Sequence, residues 1–142
     1  MVSFEAGAPK RTIVIGMKRG DDILEGLDAA IKEHGIKQGA VVSGIAALGQ
    51  ASYHKVTDFS EKAKNEFITV KSPCEMSGMQ GTIIDGVPHI HYCFTDVEGN
   101  SIVGHMEPGT TVLYVCEIVI IEFEGGDIHR KPNEVGLMLL AK

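Results

Sequence analysis

The chain has 142 residues, of which 44% are hydrophobic, and its 13 basic and 19 acidic residues give a formal net charge of −6. This length suits one domain with its own core, so we expect residues 1–142 to form a single domain, with 1–8 as a poorly ordered lead-in. The negative charge argues against an unaided hold on a nucleic-acid backbone, because sequence-independent affinity comes from lysine and arginine.

Neither membrane insertion nor secretion is indicated. No apolar stretch approaches the roughly 20 residues that span a bilayer, and the first residues lack the basic start and apolar run of a signal peptide. The three cysteines, Cys74, Cys93 and Cys116, show no CxxC spacing and lie in or near apolar runs. We therefore expect reduced cysteines in a soluble, cytoplasmic protein.

The first predicted elements are a strand and a helix. Residues 11–17 are rich in β-branched side chains, which favour a strand. Asp21 or Asp22 can then cap a helix, and Gly35 is a normal stop at its C-terminal end. Because apolar residues recur at helical spacing between these signals, we predict one main helix over about residues 21–34.

From Gly39 onward the pattern is one of strands and turns. Predicted strands cover residues 40–49, 50–56, 66–70, 74–84, 89–95, 101–105, 110–123 and 135–140. Glycines inside the first of these indicate a bulge, a bend or another backbone passing close. Asp85-Gly86 is a strong tight-turn signal, and a polar loop is expected after Gly125-Gly126.

This order of elements predicts an α+β fold, in which one helix covers one face of a mostly antiparallel sheet. The strand 110–123 is long for a small domain, and we expect it to be central. Its edge or outer face would need cover, which self-association provides most economically.

Two histidines in Pro88–Phe94, and a third shortly after, form the most distinctive pattern. Strand alternation places His89 and His91 on one face, and a hairpin can return His105 beside them. Three neutral histidines with an open fourth position form a catalytic-type zinc site. We predict such a metal site, with zinc preferred over nickel, copper or iron. The alternative is that these histidines bond only to backbone groups and bind nothing.

Two glutamates are candidates for acid–base chemistry beside this metal. Glu117 interrupts an apolar run, where an ionised carboxylate needs a partner or a wet cavity. It would orient a ligand histidine or carry a proton, or else pair with a basic residue at a subunit contact. Glu107 could take the fourth metal position, but the favoured interpretation is a solvated turn carboxylate. The remaining histidines are interpreted as surface residues: His34, His54 and His129.

The run Val42–Gly49, the triplet His89-Ile90-His91, and Gly104-His105 followed by Gly109 resemble the PPC (plant and prokaryote conserved) domain. The likeness covers about residues 8–142, with the elements in the same order. It implies a β-rich domain with one helix that assembles as a homotrimer. Plant members place the domain after AT-hook segments in nuclear DNA-binding proteins. Prokaryotic members usually stand alone, are often labelled DNA-binding, and have no settled activity.

The DNA-binding label has little support in this sequence, because an AT-hook needs Arg-Gly-Arg-Pro and none occurs. The PPC fold is also similar to that of acetolactate decarboxylase, a zinc enzyme whose metal is held by an HxH pair and a later histidine. His89, His91 and His105 match that pattern in type and order.

Three hypotheses follow. The favoured one is a stand-alone trimeric PPC-like domain with a three-histidine metal site, which binds a small ligand or a protein partner and has no established reaction. The second is a zinc-dependent enzyme of lyase or hydrolase type. The third is a DNA-binding or regulatory module.

Overall fold

The computed structural model describes all 142 residues and contains one helix and nine strands. Their bounds are β1 (Pro9–Lys18), α1 (Ile23–His34), β2 (Gln38–Val56), β3 (Asn65–Val70), β4 (Cys74–Ile84), β5 (Val87–Thr95), β6 (Ser101–Met106), β7 (Thr111–Phe123), β8 (His129–Pro132) and β9 (Met138–Ala141). Every strand pairing is antiparallel. The predicted α+β fold is therefore confirmed. The single helix is not long and apolar enough to cross a membrane.

Strand β7 lies inside the main sheet between β1 and β2, as expected, and β2 makes the largest number of strand pairings. The strands run in the order β1-β7-β2-β4-β5-β6, with β3 on β2 and a further pairing between β2 and β6. The two strands predicted at 40–49 and 50–56 are one continuous strand, β2. The bend expected at Gly49 appears instead as two shifts in the register of β2 against β7, one on each side of Leu48. Since β6 returns to the far end of β2, the four strands β2, β4, β5 and β6 close into a ring.

The helix matches its predicted bounds to within two residues. Asp22 caps it by accepting from the backbone N–H groups of Leu24 and Glu25, and Gly35 ends it in the left-handed conformation at φ 63°. Its apolar face is fully buried at Ile23 and Leu27. These residues join one core cluster with side chains from the inner face of the sheet.

A tight turn fixes the register of the strands that carry the histidines. Asp85 and Gly86, between β4 and β5, have φ angles of 57° and 76°. Positive φ at both central residues is the signature of a type I′ hairpin, so the predicted tight turn is confirmed. Thr82 consequently lies opposite His89 in the paired strands.

The C-terminal segment forms a separate two-stranded sheet, in which β8 pairs with β9. The polar loop predicted after Gly125-Gly126 ends at residue 128, because residues 129–132 form β8 instead, and the last strand begins at Met138 rather than at residue 135. A two-stranded ribbon outside the main sheet leaves much of its surface exposed, so its strands need not show the apolar alternation of a core strand. All three cysteines are free, and Cys74 and Cys116 are buried.

Candidate metal centre

A row of cross-strand partners runs over the outer face of the ring of strands. The inner face is defined by Ile90 and Tyr92, which are buried in the core, so that His89 and His91 point outward. Each member of the row is the direct partner of the next on a neighbouring strand. Across β3, β2, β6, β5 and β4 in turn, the members are Phe67, His54, His105, His91 and Gln80.

The structure brings together the three histidines that the sequence singled out. Their ligand nitrogens all lie within 4.8 Å of one another. His105 is the direct cross-strand partner of His91, and its ring centroid lies 4.9 Å from that of His89. His89 and His91 are exposed and His105 is half-buried, so the group opens to solvent on one side.

Two of these imidazoles are held in the neutral form. Burial lowers the pKa of His105 to about 4, and the neighbouring His54, His89 and His91 push it the same way, against the attraction of Glu107. Although His89 as a whole residue is exposed, neighbouring atoms partly shield its ring from water, and this desolvation lowers its pKa, with repulsion from Arg130 as the next cause. A neutral imidazole is the form that binds a metal.

A fourth histidine belongs to this surface, although the sequence suggested only a surface role for it. The ring of His54 stacks on that of His105, with centroids 4.4 Å apart. Its Nδ1 lies 2.5 Å from a carboxylate oxygen of Glu107. Glu107 is therefore not the solvated turn carboxylate that was favoured. With His105, the pair forms a second group of potential ligands within 4.8 Å.

Glu117 lies apart from the histidines. It is exposed on β7, opposite Gly16 of β1 and Ile45 of β2. Strand β7 pairs with those strands and with neither β5 nor β6, and Glu117 shares no hydrogen bond or ion pair with His89, His91 or His105. The buried carboxylate of β7 is that of Glu122, which is bonded to Lys10 and Arg11.

Residues 4–124 match the family described as the Plants and Prokaryotes Conserved (PCC) domain, which is the PPC domain named above. The chain is also similar to two bifunctional GlmU proteins from Synechococcus strains, each at 22% identity, over 138 and 114 residues. These matches cover 92% and 80% of the chain but 21% and 17% of the relatives. The chain thus spans about a fifth of the length of these curated relatives.

Solved structures of similar fold come from archaea and bacteria. A PPC protein from Pyrococcus horikoshii has a TM-score of 0.81 and 28% identity, over 100% of this chain and 98% of that one. A metal-containing protein from Archaeoglobus fulgidus has a TM-score of 0.84 and 21% identity, over 100% of both chains. A Bacteroides thetaiotaomicron protein with a provisional DNA-binding assignment has a TM-score of 0.80 and 19% identity, over 98% and 96%.

The order of the strands, the single helix and the match over residues 4–124 agree with one another, and the chain belongs to the Plants and Prokaryotes Conserved domain family.

Proposed function

We propose that this chain binds a transition metal, zinc in the first instance, through His89, His91 and His105. At the open metal position it would hold a small ligand or a protein partner, with no established reaction. The observation that carries this proposal is the convergence of three ligand nitrogens within 4.8 Å on a solvent-open face. The metal-containing protein from Archaeoglobus fulgidus, which shares the fold, supports it.

The donor set fits zinc. At Zn–N distances of about 2.0–2.1 Å, two nitrogens of a tetrahedral site lie about 3.4 Å apart, so small side-chain rotations suffice to close the group on the ion. Neutral imidazoles suit zinc, nickel, copper and iron, and zinc stands first because three histidines with an open position form a familiar zinc site.

A zinc-dependent enzyme of lyase or hydrolase type is the second candidate function. A bound metal would supply polarisation of a carbonyl or activation of water. The observation that favours an enzyme is the His54–Glu107 pair, because an imidazole held by a carboxylate is a common form of acid–base group. Of the two glutamates proposed from the sequence, only Glu107 lies where it could take part.

A homotrimer is part of the proposal, and the outer faces of β1, β2 and β7 support self-association. Val14, Ile45 and Val115 are 72%, 50% and 61% exposed, and each adjoins a residue buried in the core. Glu117 lies opposite Ile45 on the same face, which fits a residue at a subunit contact. A second copy of the chain would remove this apolar surface from water.

DNA binding has the least support. A relative at 19% identity carries a provisional assignment of that kind, whereas the net charge of −6 opposes contact with phosphates. Retardation of duplex DNA that weakens steeply with salt would favour this role, and no retardation at low salt would end it.

Metal analysis of the purified protein tests the main proposal. We expect about one zinc per chain in the wild type and in His34→Ala, a control that removes an exposed histidine outside the group. His91→Ala should lose most of the metal, since two histidines hold zinc much less tightly than three. A wild type without stoichiometric metal, or full occupancy in His91→Ala, would overturn the proposal.

A further inference from the structure

A cation from the C-terminal hairpin lies beside the histidine group. Arg130 of β8 donates from Nη2 to the hydroxyl of Thr82 at 2.8 Å and from Nη1 to the carbonyl of Val87 at 3.1 Å. Thr82 is the direct cross-strand partner of His89, so their side chains stand on the same face of the sheet. The guanidinium is thus fixed next to a candidate metal ligand by two hydrogen bonds.

The fixed guanidinium keeps donors to spare. An arginine carries five N–H groups, and the bonds to Thr82 and Val87 use two of them. The side chain is only half-buried, so the remaining donors are within reach of a ligand. Because both ends of the guanidinium are anchored, little side-chain entropy is lost when a further group binds.

With a metal bound, the side of the histidine group that faces Arg130 would carry an excess of positive charge. Neutral histidines do not offset the charge of a divalent metal. Two carboxylates lie near, and both have partners. That of Glu107 is engaged by His54, and that of Asp85, which acts on Arg130, is engaged by His129. Arg130 is the basic side chain bonded to Thr82, the cross-strand partner of His89. The loaded site would therefore favour an anionic ligand.

We propose that the open side of the histidine group receives a small carboxylate, with one oxygen on the metal and the other on the guanidinium of Arg130. This inference rests on the proposed metal site and names the chemical class of its ligand. A carboxylate has two oxygens, so one can contact the metal while the other accepts a charge-assisted hydrogen bond from the guanidinium. A phosphate would bring further oxygens beyond the two that the metal and this guanidinium can contact, and no other lysine or arginine is bonded to Thr82, Val87 or the three candidate histidine ligands.

The competing explanation is that Arg130 only fastens the hairpin β8–β9 to the main sheet. A fastening role would change the thermal stability when Arg130 is replaced, but would leave the anion affinity of the metal-loaded protein unaltered. The two explanations therefore differ in a measurement that does not depend on any reaction.

The test is a titration of the cobalt-loaded full chain with acetate, followed by the visible absorption of the metal. We expect Arg130→Met to bind acetate about 10-fold more weakly or worse, as for the loss of a hydrogen bond to a charged group. Lys131→Met is the matched control, because it removes one positive charge from the same strand. It should bind acetate as the wild type does.

Cobalt stoichiometry, measured on the same samples, separates the two proposals. A wild type that takes up no stoichiometric cobalt refutes the metal site itself. If all variants take up full cobalt, and Arg130→Met and Lys131→Met bind acetate with equal affinity, only the role of Arg130 is refuted. Inorganic phosphate that binds more tightly than acetate refutes the carboxylate class.

A further pair of variants covers the case in which Arg130→Met does not fold. Thr82→Val removes one anchor of the guanidinium and should weaken acetate binding, whereas Thr82→Ser keeps the hydroxyl and should retain it. Equal acetate affinity in these two variants contradicts the proposal.

Discussion

His54 and His105 are direct cross-strand partners whose rings stack with centroids 4.4 Å apart and an angle of 24° between their planes. Glu107 holds His54 through Nδ1, so neither ring is free to rotate without disturbing the other. The pair connects the strand at the centre of the sheet to the hairpin that carries the candidate metal ligands. His54 and Glu107 are therefore expected to position His105.

Replacement of Glu107 should loosen this arrangement. In Glu107→Ala, His54 loses its carboxylate partner and His105 loses a fixed neighbour. We therefore expect the metal affinity to fall by up to about 10-fold, which is the smaller end of the loss seen when a residue that orients a metal ligand is replaced. Isothermal titration with zinc measures the change. Glu98→Ala removes the same charge from an exposed turn and should leave the affinity unaltered. Equal affinities in the two variants would refute the positioning role.

The stability of the protein should depend on the ionised form of Glu122. Burial acts to raise the pKa of this carboxyl, but hydrogen bonds and charge from Arg11 and Lys10 outweigh it and hold the pKa below its ordinary 4.5. Because the folded state then binds fewer protons than the unfolded state, the contribution is complete above about pH 4.5. It is lost as the pH falls through the lowered value.

Urea unfolding of Glu122→Gln checks this dependence. At pH 7 we expect the free energy of unfolding of the variant to be about 1.5–3 kcal/mol lower than that of the wild type, which is the usual contribution of hydrogen bonds to a charged group. Its free energy of unfolding should also fall less than that of the wild type between pH 5 and pH 3. Glu124→Gln is the control, since Glu124 is an exposed carboxylate on the same stretch of chain. An acid response that is identical in wild type and Glu122→Gln would rule out this assignment.

The close pairing of β4 and β5 requires Gly81. A Cβ at this position would lie 2.0 Å from the carbonyl oxygen of His89, so the strands would have to separate at a candidate ligand. We expect Gly81→Ala to lose about 2–3 kcal/mol of stability, in the upper part of the usual range for point mutations, and to weaken zinc binding. Gly16→Ala, where a Cβ meets nothing within 4 Å, should have little effect on either. Wild-type stability and zinc affinity in Gly81→Ala would contradict the register described above.

Self-association should depend on the apolar outer face. For a chain of 15.3 kDa, we expect light scattering during gel filtration to give three times this mass for the wild type. Ile45→Asp should give monomers, because it places a charge within the surface to be buried. Val97→Asp introduces the same charge at an exposed residue near the turn between β5 and β6 and should remain trimeric. A monomeric wild type would exclude the trimer.

The parts of the site that the sequence predicted depend on local pairing. The spacing of His89 and His91, the tight turn at Asp85-Gly86 and the short return to His105 all lie within one meander of strands. Alternation and turn chemistry are sufficient to place such residues on one face. The helix was equally visible, because its cap, its apolar spacing and its terminal glycine agree.

The parts that the sequence missed depend on pairings between distant segments. His54 reaches His105 only because the far end of β2 returns to β6, and Arg130 reaches Thr82 only because a terminal hairpin packs beside β4. A role for Glu117 beside the metal depended on its strand lying near the histidines, with pairing at a subunit contact as the equal alternative. The order of strands in the sheet, which no local pattern specifies, places it elsewhere.

Anomalous diffraction at the zinc absorption edge, from crystals of the protein purified without chelator, tests the central proposal most directly. We expect one anomalous peak per chain, within about 2.0–2.1 Å of a ring nitrogen from each of His89, His91 and His105. A difference map without a peak at these three residues, or a peak on another set of ligands, would contradict it.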